Sequence, residues 1–183
     1  YNISLGEKAK IKKISFIGEK IFKDKKLKGV ILSEEYKPWK FLSGKKYLNE
    51  SLIKYDERLL KNFYLNKGYY NVIVNSSFAK MTEDQVFELI FNIDANPKLF
   101  FGDLKIDLPS DFSETNYSDV KKFLKKLENE PYSINRIEDI VEKIETITIN
   151  EQYESIQASV SETIISNNLS LFNIRKIFCF NLF

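Results

Sequence analysis

An amphipathic helix runs straight into Lys67-Gly68-Tyr69-Tyr70, and an alternating strand follows at once; no other stretch constrains the fold as much. Leu48, Leu52, Tyr55, Leu59 and Phe63 recur at steps of three or four, which predicts one apolar helix face, with Asn49 as its cap. Gly68 supplies the stop, because glycine tolerates the left-handed conformation that closes a helix. Tyr70, Val72 and Val74 then alternate with Asn71, Ile73 and Asn75, the period of a half-buried strand. Setting Tyr47 on Tyr132 aligns Leu52 with Ile137, Tyr55 with Ile140 and Leu59 with Ile144, so the unit occurs twice. A repeated small unit without catalytic equipment points to a binding scaffold rather than an enzyme.

The remaining elements follow the same order. Residues 9–17 read as a strand ended by Gly18-Glu19, and Asp24 caps a short helix. The linker carries Pro38-Trp39 and Ser43-Gly44, with Trp39 as a core or linker anchor. Phe87, Leu89, Phe91 and Ile93 alternate in a third strand. After Asn96-Pro97 come a strand over Leu99–Leu108, a helix capped by Thr115 or Ser118, and a helix opened by Asn135 and Glu138. Strands at Ile156, Ala158 and Val160 and from Leu169 to Ile174 complete the second unit. The class is α+β: two units, each strand–helix–helix–strand–strand. The expected division is 1–6 as the end of a preceding module, 7–94 and 95–174 as two modules, and 175–183 as an anomalous tail.

Composition removes several functions. Among 183 residues there is no histidine, which excludes Ser-His-Asp and Cys-His catalysis and most zinc sites. Cys179 is the single cysteine, so no intrachain disulfide forms. No apolar run reaches the roughly 18 residues of a membrane span. The chain opens on Tyr1, without methionine, and is expected to be internal to something longer. Residues 1–94 carry 18 Lys/Arg against 12 Asp/Glu, whereas 95–183 carry 10 against 14. The lysines from Lys8 to Lys28 lack interleaved aromatic platforms, so nucleic acid is not an expected partner. No oxygen-rich loop surrounds Asp103, Asp107 and Asp111, which argues against calcium. No cofactor, metal or catalytic residue is expected.

Two phrases carry a family resemblance. Ile14-Ser-Phe-Ile-Gly18 before the short helix, and Tyr64-Leu65-Asn66-Lys67-Gly68-Tyr69 closing the long one, resemble POTRA domains. The linker Tyr36-Lys-Pro38-Trp39-Lys-Phe-Leu-Ser43-Gly44 is similar to the third POTRA module of outer-membrane barrel-assembly factors, which makes the second unit the fourth. Leu108-Pro109 and Glu151-Gln152-Tyr153 depart from the pattern of the first unit. The resemblance implies a three-stranded mixed sheet packed on two helices and a place on the periplasmic side of the outer membrane. It implies unfolded outer-membrane proteins and accessory assembly lipoproteins as partners, with further POTRA modules and a membrane barrel in the same full-length chain. A two-partner secretion transporter is the alternative parent.

The resemblance also implies that the middle strand in sequence is a sheet edge able to accept an extended peptide. The expected edges are Tyr70–Phe78 and Ile156–Thr163, with Tyr70, Asn71, Val72, Ile73, Val74, Ile156, Gln157, Ala158, Ser159 and Val160 as candidate binding residues. Asn75-Ser76-Ser77 is a candidate bulge. Gly18, Trp39, Gly68 and Tyr69 are expected to be structural.

Overall fold

The computed structural model describes residues 9–39, 44–82, 86–108, 112–151, 156–164 and 171–181. The expected segment 1–6 lies outside them. The chain divides into two compact units, Tyr1–Tyr64 with Asn71–Asn96, and Leu65–Tyr70 with Pro97–Phe183. Each contains a three-stranded mixed sheet.

In the first unit β1 (Lys10–Glu19) is followed by α1 (Asp24–Lys28), α2 (Glu50–Leu65), β2 (Ile73–Thr82) and β3 (Val86–Asp94). The strand order is β1-β3-β2, with β1 parallel and β2 antiparallel to β3. Alternation puts Ile14 and Phe16 of β1 and Leu89, Phe91 and Ile93 of β3 on one face, the irregularity between Ile11 and Lys13 brings Ile11 onto it, and all six are buried. The Phe16 and Phe91 rings stack at 5.6 Å. Each such side chain contributes about 1.5–3 kcal/mol through burial.

Helix α2 covers that face, though not with the expected residues. The Asn49 cap holds: its Oδ1 accepts the Leu52 N–H at 3.0 Å. The buried stripe, however, is Ile53, Asp56, Leu60 and Tyr64, while Tyr55 is exposed and Leu52, Leu59 and Phe63 are only partly covered. Both stripes have helical spacing and lie one residue apart. The structure selects the one containing Asp56, because that carboxylate is fully buried and accepts the N–H groups of Leu32 (2.6 Å) and Ser33 (3.1 Å). Asp24 is the first residue of α1 rather than its cap, which is Lys23.

Two glycines hold a left-handed backbone that other residues rarely adopt. Gly18 has φ +82°, and a Cβ there would lie 2.4 Å from the Ile93 carbonyl oxygen. Gly68, at φ +94°, follows the end of α2 as the helix stop requires.

The second unit contains β4 (Phe100–Phe101), α3 (Ser118–Leu127), α4 (Ile134–Asn150), β5 (Ile156–Ile164) and β6 (Leu171–Asn181), with sheet order β4-β6-β5. Val120, Leu124, Leu127, Ile137, Ile140 and Ile144 supply its buried helix faces. Three expectations change here. The strand expected over Leu99–Leu108 is two residues long. Ser133, not Asn135, is the cap residue of α4, and the Asn135 N–H donates instead to Asn66 Oδ1 at 2.9 Å. Residues 175–181, set apart from sequence as a tail, continue β6 and pair with β5.

Candidate binding edge

A three-stranded sheet has two outer rims, and each rim is a row of N–H and C=O groups able to pair with another chain. In the first unit the β1 rim is occupied by its own chain. Tyr36 N–H donates to the Ile11 carbonyl at 2.6 Å, and Leu48 N–H to that of Ala9 at 2.9 Å. The Glu35 carboxylate accepts the Ile14 N–H at 3.0 Å, and Lys20 Nζ donates to the Phe16 carbonyl at 2.6 Å. Lys10 also bridges to Tyr47. Burial pushes the Glu35 carboxyl up, but the Lys28 hydrogen bond and the Ile14 N–H pull it further down, below 4.5.

The second unit closes its first strand in the same way. Phe101 N–H donates to the Glu130 carbonyl at 2.9 Å, and Asn129 N–H to the Phe101 carbonyl at 2.8 Å. Phe100 bridges to Pro131. The chain between the two helices thus seals the first strand of each unit, and β2 and β5 are the other edges.

The β1 contacts also fix which β2 groups face outward. Ile14 N–H and Phe16 C=O point away from β3, so Ser15 and Ile17 point towards it. In a parallel ladder a residue bonds to the two neighbours of its partner. Ser15 is in register with Ile90, so Leu89 and Phe91 face β1, leaving Ile90 and Asn92 to face β2. Asn75 and Ser77 pair with Asn92 and Ile90. The N–H and C=O groups of Val74, Ser76 and Phe78 therefore point to the open rim. The register runs unbroken from Ile73 to Lys80, and its irregularity lies between Lys80 and Thr82 rather than at Asn75-Ser76-Ser77.

The candidate residues fall unevenly on these edges. Ile73 and Val74 lie in β2, and Ile156, Gln157, Ala158, Ser159 and Val160 in β5. Tyr70, Asn71 and Val72 precede the strand. Tyr70 N–H bonds back to the Gly68 carbonyl at 3.1 Å, the Asn71 carbonyl accepts Asn96 Nδ2 at 3.0 Å, and Val72 is buried. The chain is still turning there, so the edge starts at Ile73 and extends to Thr82. Tyr69 is buried, with Lys98 Nζ 5.3 Å from its ring centre. Trp39 is not an anchor: it is 73% exposed in a turn. Beside β1 the linker instead places Tyr36, Tyr47 and the buried Lys46, whose Nζ lies 5.4 and 5.5 Å from the two ring centres. Glu35, which closes the β1 rim, carried no sequence signal, since Glu34-Glu35 reads as an ordinary polar loop.

Among the described residues no cluster of His, Cys, Asp and Glu suits a metal ion, and no helix is long and apolar enough to cross a membrane.

Residues 9–96 match the POTRA family model, described as a surface antigen variable number repeat. The chain is 26% identical over 129 residues to the outer membrane protein assembly factor BamA of Neorickettsia risticii, covering 70% of this chain and 17% of that protein. It is 27% identical over 146 residues to BamA of Buchnera aphidicola, covering 78% of this chain and 23% of that protein. Among solved structures, POTRA3-5 of Haemophilus influenzae BamA aligns with a TM-score of 0.60 and 13% identity, over 90% of this chain and 60% of that one. BamA of Haemophilus ducreyi lacking POTRA domains 1-3 aligns at 0.62 and 15% identity, over 99% of this chain and 30% of that one. Residues 9–96 are accordingly a POTRA domain. The chain as a whole is similar to the POTRA regions of these BamA proteins, and it spans less than a quarter of the length of the two curated relatives.

Proposed function

We propose that the fragment is a non-enzymatic scaffold of an outer-membrane barrel assembly factor, working on the periplasmic side of that membrane. Unfolded outer-membrane proteins bind as added strands, chiefly along β2 at Ile73–Lys80 and along β5 at Ile156–Val160. Accessory lipoproteins, further POTRA modules and a membrane barrel in the full-length chain complete the assembly. The observation that carries this reading is the asymmetry of the rims. The chain itself hydrogen-bonds along β1, while β2 has a strand neighbour on one side only. Main-chain pairing is largely independent of side-chain identity, so one edge serves many clients weakly.

Proline separates main-chain from side-chain recognition. Ser76→Pro removes an outward N–H and keeps the β3 ladder, a position proline tolerates on an edge strand. Binding of an unfolded barrel-strand peptide, followed by NMR titration, should be lost in Ser76→Pro and retained in Ser76→Thr, with shifts along residues 73–80. Ser77→Pro, which removes a ladder N–H, should destabilise the unit instead. Equal losses from Ser76→Thr and Ser76→Pro, or shifts confined to the helices, refute the reading.

A further inference from the structure

The open edge is not uniform along its length. Val74, Ser76 and Phe78 share the face of Ile93, Phe91 and Leu89, their register partners, which is the core side of the sheet. Cover is complete over β3, where those three residues are fully buried, and fails over β2. Val74 and Ser76 are half-buried, and Phe78 is 62% exposed although it stands directly opposite buried Leu89. Its ring rests edge-on against half-buried Phe87, with centroids 5.9 Å apart. The opposite face of the same strand carries Asn75, Ser77 and Ala79, all exposed. Phe78 is therefore a large apolar ledge beside an open rim, and its own N–H is one of those pointing outward.

We infer that Phe78 makes the β2 edge selective for strands that alternate apolar and polar residues, and sets which face of such a strand lies on the core side. This rests on strand addition at β2. An added strand places one residue opposite Phe78 with its side chain on the core face, and the next residue on the face of Ser77 and Asn75. Side-chain direction has period two, so a slip of one residue exchanges the faces. An alternating strand has one register family that covers the Phe78 ring with apolar side chains and leaves polar ones in water. A strand of the same composition without alternation must strand apolar groups in water or lay polar ones on the ring. The edge thus reads pattern rather than identity.

The test uses the 183-residue chain and two dye-labelled peptides of equal composition. One alternates leucine and threonine; the other has them in blocks. Affinities come from fluorescence anisotropy and the binding location from amide shifts of residues 73–80. The parent chain should prefer the alternating peptide by about three- to fivefold, the scale of one aromatic cross-strand pair. Phe78→Thr keeps a strand-forming residue and should bring the ratio close to one, with folding checked by circular dichroism. A preference unchanged in Phe78→Thr overturns the role of Phe78 while strand addition stands. Binding of both peptides unaltered by Ser76→Pro overturns strand addition, and this inference with it.

Discussion

Asp56 offers a sharp test of how the first unit is held together. Its carboxylate is fully buried in α2 and accepts the N–H groups of Leu32 and Ser33, tying the segment after α1 to the longer helix. Asp56→Ala leaves both donors without this partner. The Ser33 site is buried, so its N–H bears the full cost of an unmade hydrogen bond, about 1–3 kcal/mol. Leu32 is 37% exposed, and its N–H recovers part of the loss from water. The expected destabilisation is about 2–4 kcal/mol, a large share of the about 5–15 kcal/mol that holds a domain together. A unit of this size loses about 4–8 °C in Tm per kcal/mol, so a fall of about 8–32 °C is expected. Asp56→Asn keeps one carbonyl acceptor and should fall between the two. Asp56→Leu restores apolar volume without an acceptor and should stay close to Asp56→Ala. Urea unfolding followed by far-UV circular dichroism gives the three stabilities. Asp56→Leu matching the parent chain would show that volume, not hydrogen bonding, is what the site supplies, and would refute the argument.

Gly68→Val should cost about 1–2 kcal/mol from the left-handed backbone alone, with further crowding because a Cβ would lie 3.2 Å from the Leu99 carbonyl oxygen and 3.3 Å from Pro131 Cβ. An unchanged Tm would place the helix stop elsewhere. Glu35 gives a pH dependence. Its folded carboxyl is held below 4.5, so its contribution is fully present above the unfolded value and is lost as pH falls through the lower folded value. Stability curves of the parent and Glu35→Gln should be separated at neutral pH and converge below about pH 4.5, the ordinary value of the group; curves that stay parallel would remove Glu35 from the closure of β1.

Strand and helix order was legible because periodicity and turn chemistry are local. Phe87, Leu89, Phe91 and Ile93 alternate without interruption, and Gly68 marks a helix stop that its φ of +94° bears out. What sequence could not resolve depended on tertiary partners. The face of α2 turned on whether Asp56 belongs in the core, and only the Leu32 and Ser33 N–H groups make that favourable. Trp39 looked like an anchor because tryptophan is usually largely buried, but the Tyr36–Lys46–Tyr47 cluster occupies the position beside β1. The direction of the edge N–H groups was out of reach as well. It follows from Ile14 pairing with Glu35, a contact between residues 21 positions apart.

A sheet with both rims open can add copies of itself at either side without limit, because each new copy offers a fresh acceptor opposite its donor. That head-to-tail arrangement does not close, and it is the geometry of fibres. Closing the β1 rim with Tyr36, Glu35 and Lys20 removes one of the two complementary surfaces. Two copies of the first unit then meet only β2 to β2, a two-fold pair in which both open edges are used up. Seen this way, the segment between the helices is a safeguard. It leaves the first unit an exposed, adhesive strand through which that unit's self-association ends at a pair.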